Sequence, residues 1–373
     1  MRILMLNYEY PPLGGGAAPV TEEITKNLIS KGHEIDIVTM GYKNLPSYES
    51  KNGIEIYRVP CIRSQVAKCE FHEMLSFLPM GFWKSRQIVK EKKPDVVYCH
   101  FIIPTGIIAY LLKKLYGLPY VITSHGSDVP EYNPDRFKLI HSFVHPIWKK
   151  VISNSFRVVS PSDYLGNLIK RSYLETRLSV IPNGFDYKRI NPNRKKDKRI
   201  LVSTRLFKRK GVQYFLDCLE NIKTDWEIVI TGEGPYKKEL ENKAKSLNLN
   251  VKFAGWVEKD VLQDLLETSE VYIFTSSHEN CPVALQEAMA AGCAIIASKY
   301  SGTFEVIGDS GITVDPRDQN EFLLQLNKLL SDKELRDTLG KKARKRIETQ
   351  YDWNTITDKY IQILNQASEI KSE

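Results

Sequence analysis

The sequence has 373 residues, of which 42% are hydrophobic and 26% are charged, and its formal net charge is +8. This length and apolar content suffice for two ordinary domains with sizeable cores. The six cysteines include no Cys-x-x-Cys pair, which argues against a disulfide framework or a zinc site and favours reduced thiols in a cytoplasmic protein.

The first half of the chain alternates apolar strands with helices. Arg2–Asn7 predicts a buried strand, Val20–Lys31 a helix that Gly32 ends, and Glu34–Met40 a second strand. Further strands are predicted at 96–99, 120–124 and 157–160. This βαβ rhythm predicts a parallel sheet in a first domain of residues 1–186.

The rhythm restarts after a polar, basic stretch at Asn191–Lys198, which is predicted to be a linker. Strands are predicted at 199–203, 226–231, 251–254, 271–275 and 294–298, with helices between them. The second domain is assigned to residues 187–350, and residues 351–373 to a C-terminal helix that could cross back onto the first domain. Two doubly wound α/β domains, with a ligand cleft between the carboxyl ends of their sheets, are the simplest architecture.

Two glutamates, Glu279 and Glu287, stand eight residues apart where a predicted strand leads into a helix. Pro282 suits the first turn of that helix, and Gly292 suits its end. Glu279 is then expected in the loop and Glu287 inside the helix, where both carboxylates can accept hydrogen bonds from sugar and ribose hydroxyls. The spacing alone fits equally well an alternative in which Glu287 caps or pairs structurally and Glu279 is a solvated loop acid.

A second segment offers cations at the end of a strand. Arg205 and Lys210 precede the helix that begins near Gly211, and they are placed to hold an anionic diphosphate. Lys208 and Arg209 are interpreted as part of a solvated basic turn.

The predicted first domain carries a glycine run and a histidine after its strands. Gly14-Gly15-Gly16 follows the first strand, but Pro19 stands where a dinucleotide fingerprint needs its third glycine, which argues against a nicotinamide cofactor. His125 follows another strand and is expected to face the same cleft, although a lone histidine is more often structural. No Asp-x-Asp occurs in the sequence, so the acidic pair that often holds a catalytic divalent cation is missing.

Together and in this order, these segments resemble the retaining glycosyltransferases of family 4, which have the GT-B fold of two Rossmann-like domains. The resemblance covers nearly the whole chain. It rests on Glu-x7-Glu followed by Ala-Met-Ala-Ala-Gly, on Arg-Leu-x3-Lys-Gly from Arg205, on Gly232-Glu233-Gly234-Pro235, on Ile181 to Asp186, on His125-Gly126-x-Asp128 and on the early glycine loop.

The resemblance implies metal-independent transfer of a sugar, with retention, from a nucleoside-diphosphate sugar (UDP- or GDP-linked) to an acceptor hydroxyl. It assigns the transfer chemistry to Arg205, Lys210, His125 and Glu279. It assigns substrate binding to Gly15, Gly16, Asp128, Gly234, Val257, Asn280, Cys281, Pro282, Val283, Leu285 and Glu287. No metal site and no cofactor are expected. Asn280-Cys281-Pro282 replaces a commoner glycine-aromatic-glycine, which leaves the donor sugar open.

Two alternatives share this architecture: a sugar-nucleotide epimerase or glycan phosphorylase, and a non-catalytic module that binds a nucleotide sugar. The expected acceptor is a sugar, a lipid-linked sugar or a glycolipid, in glycan biosynthesis, and no nucleic-acid partner is expected. Trp83-Lys84 and Trp148-Lys149-Lys150 lie in predicted helices that fit either a membrane-surface face or ordinary core packing. The expected location is the cytoplasm, and association with the inner face of the cell membrane is left open.

Overall fold

The computed structural model describes residues 1–132 and 134–370, with side chains described outside residues 134–143. The chain divides into two compact units. One is formed by Met1–Gly184 and the chain from Trp353 onward, and the other by Phe185–Asp352. Each unit is built on its own sheet, so the α/β class predicted from the βαβ rhythm is confirmed.

The sheet of the first unit has eight strands. They are β1 (Arg2–Leu6), β2 (Glu34–Met40), β3 (Tyr48–Lys51), β4 (Ile54–Val59), β5 (Val96–His100), β6 (Tyr120–Thr123), β7 (Arg157–Ser160) and β8 (Leu178–Val180). Their order is β3-β4-β2-β1-β5-β6-β7-β8, and every pair is parallel except β3 with β4. The helices between them are α1 (Ala17–Ser30), α2 (Phe71–Lys92), α3 (Thr105–Tyr116), α4 (Pro134–Asn154) and α5 (Asp163–Ser172). The central strands are buried along their length, as expected of a parallel sheet with both faces covered.

The sheet of the second unit has six parallel strands. They are β9 (Asp197–Ser203), β10 (Glu227–Thr231), β11 (Lys252–Gly255), β12 (Ser269–Phe274), β13 (Ala294–Ser298) and β14 (Ile312–Val314). The helices are α6 (Val212–Leu219), α7 (Lys237–Ser246), α8 (Lys259–Thr268), α9 (Val283–Ala290), α10 (Ser301–Ile307), α11 (Gln319–Ser331) and α12 (Lys333–Gln350). The spatial order is β11-β10-β9-β12-β13-β14, which is the Rossmann order 3-2-1-4-5-6 within this unit.

The last helix, α13 (Trp353–Glu369), packs inside the first unit against α1, β5 and β6. Ile356, Tyr360 and Leu364 lie on its buried side, and the Tyr360 ring centre is 5.8 Å from that of Tyr98 on β5. At the rim, the Lys31 ammonium lies 2.7 Å from the Asp358 carboxylate. The helix is therefore part of the core of the first unit.

The predicted linker is partly wrong, because β9 already begins at Asp197. The first residues of this strand are charged, and their side chains reach solvent where they pair with neighbours. Lys198 lies 2.8 Å from Asp225, and Arg199 lies 2.6 Å from Glu227 on β10. Charged residues can extend a strand beyond its buried segment in this way, so polarity alone placed the boundary too late.

None of the six cysteines takes part in a disulfide within the described residues. None of the helices in the described part of the chain combines the length and the apolar character that crossing a membrane requires.

Candidate active site

The sheet of the second unit reverses its strand order between β9 and β12. In open parallel sheets ligands bind at the carboxyl ends of the strands, at such a reversal, because the flanking loops diverge there. The loop after β9 carries Arg205 and Lys210, and the loop after β12 carries Glu279. The topology therefore brings three of the predicted residues to one place.

Lys210 and Glu279 form an ion pair across this reversal. Ser276 Oγ donates a hydrogen bond of 2.7 Å to the same carboxylate, and Thr275 Oγ1 donates one of 2.8 Å to the carbonyl of Lys210. Lys210 is only 8% exposed. Burial lowers the pKa of its ammonium group, and the attraction to Glu279 opposes that shift. The site thus holds a largely desolvated cation next to an acceptor-only group.

Arg205 lies at the surface beside this pair. Its guanidinium is 5.7 Å from the ring centre of Phe207, in a cation–π arrangement, and the residue is exposed. Lys208 and Arg209 are exposed as well. Because Arg205 remains accessible to solvent, it can take up an anionic group without first breaking a buried contact.

Close backbone approaches hold both loops. The Leu206 amide donates to the Glu233 carbonyl at 2.9 Å, and a Cβ on Gly234 would lie 2.2 Å from the Leu206 carbonyl oxygen. Likewise a Cβ on Gly302 would lie 1.6 Å from the carbonyl oxygen of Asn280. Gly234 was predicted from the sequence, whereas Gly302 was missed. At both positions an added side chain would force the backbone to shift, since the loops pass where it would stand.

Glu287 projects from α9 and lies partly exposed, at 21% for its side chain. Its carboxylate accepts a hydrogen bond of 3.2 Å from the guanidinium of Arg189, a residue that the sequence analysis missed. Burial raises the pKa of the Glu287 carboxyl, and the charges of Arg189 and Lys259 oppose this. Arg189 in turn lies 5.2 Å from the Phe185 ring centre.

The other residues predicted around α9 surround the turn that leads into it. Pro282 stands at the N-cap, one residue earlier than the first-turn position predicted, and Val283 begins the helix and is exposed. The Cys281 and Leu285 side chains are buried in the apolar core beneath the turn. Asn280 is half-buried beside Gly302. The predicted closing role of Gly292 is confirmed, since its φ is +70° directly after the helix.

Val257 lies in the loop after β11 and is half-buried, next to Trp256, which is 66% exposed. The Gly232 amide, in the loop after β10, donates a hydrogen bond of 2.6 Å to the carbonyl of Gly255. The loops that contain Gly234 and Val257 are therefore neighbours at the carboxyl edge of this sheet.

In the first unit the strand order reverses between β1 and β5. Gly15 and Gly16 follow β1 and lead directly into α1, with Gly16 at the N-cap. The Gly15 amide lies 3.4 Å from a carboxylate oxygen of Glu9. Backbone amides at a helix start favour anionic groups, and here a side chain of the chain itself approaches them.

His125 follows β6 and stacks on a second histidine, His100, at the end of β5. His125 Nε2 lies 3.0 Å from His100 Nδ1, and burial lowers the pKa of His125 to about 3 and that of His100 well below its ordinary value. Asp128 is buried and accepts hydrogen bonds from the amides of Ile102 (2.7 Å) and Gly126 (3.0 Å). The geometry thus gives Asp128 the role of fixing the loop that carries His125.

The two tryptophans whose helices fit either a membrane-surface face or core packing, Trp83 and Trp148, have different environments. Trp148 is 1% exposed, and its indole N–H donates a hydrogen bond of 2.9 Å to the Asp128 carbonyl. It therefore belongs to the core and offers no membrane-facing ring. Trp83 on α2 is 59% exposed. Across the described residues, no group of three His, Cys, Asp or Glu side chains is arranged to hold a metal ion.

Comparisons with known proteins agree with this architecture. Residues 185–346 match the family described as glycosyl transferases group 1, and residues 14–189 match glycosyltransferase family 4. An uncharacterized glycosyltransferase of Methanocaldococcus jannaschii is 28% identical, over 99% of both chains.

Two solved structures share the fold. Sucrose-phosphate synthase from Thermosynechococcus elongatus has a TM-score of 0.78 at 19% identity, covering 98% of each chain. The Anabaena protein HepE, solved in complex with UDP, has a TM-score of 0.76 at 19% identity, covering 98% of this chain and 100% of its own.

Proposed function

Because this chain belongs to the group 1 glycosyltransferases of family 4, with the GT-B fold of two Rossmann-like domains, we propose that it transfers a sugar from a nucleoside-diphosphate sugar to an acceptor hydroxyl with retention of anomeric configuration. The observation that carries the proposal is the meeting of Lys210 and Glu279 at the strand reversal of the second unit, with Arg205 exposed beside them.

Charge stabilisation is the chemical task of these residues. When the glycosidic bond breaks, negative charge develops on the departing diphosphate, and cations already fixed and desolvated stabilise it most effectively. One charge at about 4 Å contributes about 4 kcal/mol at an intermediate effective dielectric constant, and desolvation offsets part of that gain. Burial of Lys210 occurs during folding, so little of this cost falls on the reaction.

Glu279 has two successive partners in this proposal. In the free protein its carboxylate neutralises Lys210. Donor binding supplies a diphosphate that takes over Lys210, and the released carboxylate then accepts hydrogen bonds from hydroxyls of the donor sugar. Glu287 accepts from the ribose hydroxyls. His125, together with the Gly15 and Gly16 amides, is proposed to contact the donor from the first unit.

The proposed donor carries uridine or guanosine diphosphate, and the UDP found with the Anabaena protein favours uridine. A thermal-shift screen across uridine, guanosine and adenosine diphosphate sugars identifies the base, because a ligand that binds only the folded state raises the melting temperature. Donor turnover with a sugar acceptor, and the anomeric configuration of the product by NMR, then test the reaction itself.

The outcomes of that assay separate the alternatives. Epimerised donor without acceptor favours an epimerase, phosphate-dependent breakdown of a glycan favours a phosphorylase, and binding without turnover favours a non-catalytic module. Metal independence is proposed as well, with Arg205 and Lys210 supplying the positive charge. Turnover that stops with a chelator and returns only with a divalent ion contradicts that part.

Glu287→Gln is expected to weaken nucleotide binding by about tenfold to a hundredfold, because a hydrogen bond to a charged acceptor contributes about 1.5–3 kcal/mol. Burial raises the pKa of Glu287, so affinity should fall as the pH drops through that raised value, at a higher pH than for an exposed glutamate. Calorimetric titration at several pH values measures both effects. A variant with wild-type affinity, or with the same pH dependence, contradicts the assignment.

The acceptor is proposed to be lipid-linked, presented at an anionic membrane surface that α2 contacts. Trp83, Met80 and Leu75 are exposed on this helix, and Lys84 follows the tryptophan. Trp83 and Met80 also line a groove of about 480 Å³ together with Tyr48 and Tyr57. Indole rings flanked by lysines are typical of protein surfaces that lie at a lipid interface.

Trp83→Ser is expected to reduce sedimentation with anionic vesicles by at least about tenfold, because the variant loses the burial of one large aromatic side chain. The matched control is Trp256→Ser in the second unit, which removes a similarly exposed indole and should leave sedimentation unchanged. Equal losses in both variants, or none in either, contradict the contact through α2.

A further inference from the structure

Two imidazoles of the first unit are hydrogen-bonded directly to each other, and the proposed reaction does not by itself explain this pair. His100, at the end of β5, is fully buried, and its Nδ1 lies 3.0 Å from Nε2 of His125. The rings are nearly parallel, at 16° and 5.3 Å between centres. A hydrogen bond between two ring nitrogens needs one N–H and one lone pair, so the tautomer of one histidine determines that of the other.

The neighbours of His100 indicate which nitrogen carries the hydrogen. Thr21 Oγ1 lies 3.2 Å from His100 Nδ1. The same hydroxyl donates a hydrogen bond of 3.0 Å to the Ala17 carbonyl and accepts one of 2.9 Å from the side-chain amide of Asn7. Since a hydroxyl has a single hydrogen, it can offer His100 only a lone pair. His100 Nδ1 must then carry the hydrogen and share it between Thr21 and His125.

The other nitrogen of His100 agrees with this assignment. His100 Nε2 is buried, and no group among the described backbone and side-chain atoms, which exclude the side chains of residues 134–143, bonds to it. A buried N–H without an acceptor is rarer and costlier than a buried lone pair without a donor. Nε2 is therefore the nitrogen without hydrogen. It follows that His125 accepts at Nε2 and carries its own hydrogen on Nδ1. Burial lowers the pKa of both rings, so both are neutral at physiological pH.

We propose that His100 is a positioning residue, which holds His125 in its Nδ1–H tautomer and in one ring orientation for the sugar-transfer reaction. The proposal rests on the proposed function, in which His125 contacts the donor sugar. A neutral imidazole with a fixed N–H presents one defined hydrogen-bond donor. Successive hydrogen bonds link Asn7 to Thr21, Thr21 to His100, and His100 to His125. Contacts made by α1 therefore fix the tautomer of His125 in the loop after β6.

The direct test is long-range ¹H–¹⁵N NMR on protein labelled at histidine, which reports the tautomer of each ring. In the wild type, His125 should show a protonated Nδ1 and an unprotonated Nε2, and this measurement needs no variant. His100→Phe keeps a ring in the core but removes the donor, so His125 should then populate both tautomers, and kcat should fall by about tenfold to a hundredfold.

His100→Asn provides the rescue, because its amide nitrogen stands close to the position of the imidazole Nδ1. It should restore the single His125 tautomer and most of the activity. The matched control is Tyr98→Phe, which removes a buried hydroxyl from the same strand, 2.9 Å from Thr123 Oγ1. This control should change neither the tautomer nor kcat.

The outcomes separate this inference from the function on which it rests. A wild-type His125 protonated at Nε2, or a tautomer unchanged in His100→Phe, overturns the inference. An altered tautomer with unaltered kcat overturns its link to sugar transfer. A wild type that transfers sugar from none of the donors refutes the proposed function, while the NMR spectrum still decides the histidine pair.

Discussion

Lys210→Ala is expected to lower kcat by about a hundredfold to a thousandfold, which is the loss observed when one preorganised group that stabilises transition-state charge is removed. The physical reason is the burial of this ammonium at the strand reversal, next to Glu279. Donor affinity should change much less than turnover, since the charge on the diphosphate grows as the glycosidic bond breaks. Steady-state kinetics and nucleotide titration on the same protein separate the two effects.

The matched control is Lys208→Ala, in the same basic turn and exposed to solvent. It changes the net charge by the same amount but should leave kcat within about twofold, since surface charges contribute little. A Lys210→Ala variant that folds and keeps near-normal turnover contradicts the role in charge stabilisation. An equal loss in both variants shows instead that the general positive charge of the turn is what matters.

Gly302→Ala is expected to damage the site from a residue that makes no proposed contact with the substrate. The added Cβ would lie 1.6 Å from the Asn280 carbonyl oxygen, so the backbone must shift. The amide of Gly302 also donates a hydrogen bond of 2.9 Å to the Glu279 carbonyl, so the shift reaches the Glu279 loop. We expect the free energy of unfolding to fall by about 1–3 kcal/mol. Because a displacement of about 1 Å at a reacting centre can cost about a hundredfold, kcat/KM should fall by that order.

Thermal denaturation and kinetics measure the two losses independently. Phe304→Ala serves as the control on the same helix, since this ring is 52% exposed and its removal leaves the Glu279 loop in place. A Gly302→Ala variant with unchanged stability and activity contradicts the close approach of the two backbones.

The strands of the fold were predictable because parallel strands buried on both faces form apolar runs. The predicted bounds of β13, 294–298, are those observed, and β1 ends one residue earlier than predicted. The hairpin of β3 and β4 was missed, although Asn52-Gly53 between them is a strong turn signal. Both residues have positive φ, at 52° and 80°. Because β3 is short and polar, apolar alternation does not mark it as a strand.

The site was predictable only in part, and the limit is physical. Loops after strands gather at one edge of a parallel sheet, so Lys210 and Glu279 could be expected together. The partners of two other residues lie far away in sequence: Arg189 bonds to Glu287 across 98 residues, and His100 to His125 across 25. Such pairs follow from the tertiary arrangement, and no local periodicity reports them. The same holds for Trp148, whose helical pattern fits a core and a surface equally well.

The position of α13 has a consequence for the order in which the chain matures during synthesis. Residues 185–352 leave the ribosome as one continuous segment, and their sheet can be completed before α13 has been translated. The amino-terminal sheet waits longer, because Ile356, Tyr360 and Leu364 cover one of its faces and are translated after residues 185–352. The half that is translated first is therefore the half that is finished last, and until then it presents uncovered apolar surface to chaperones.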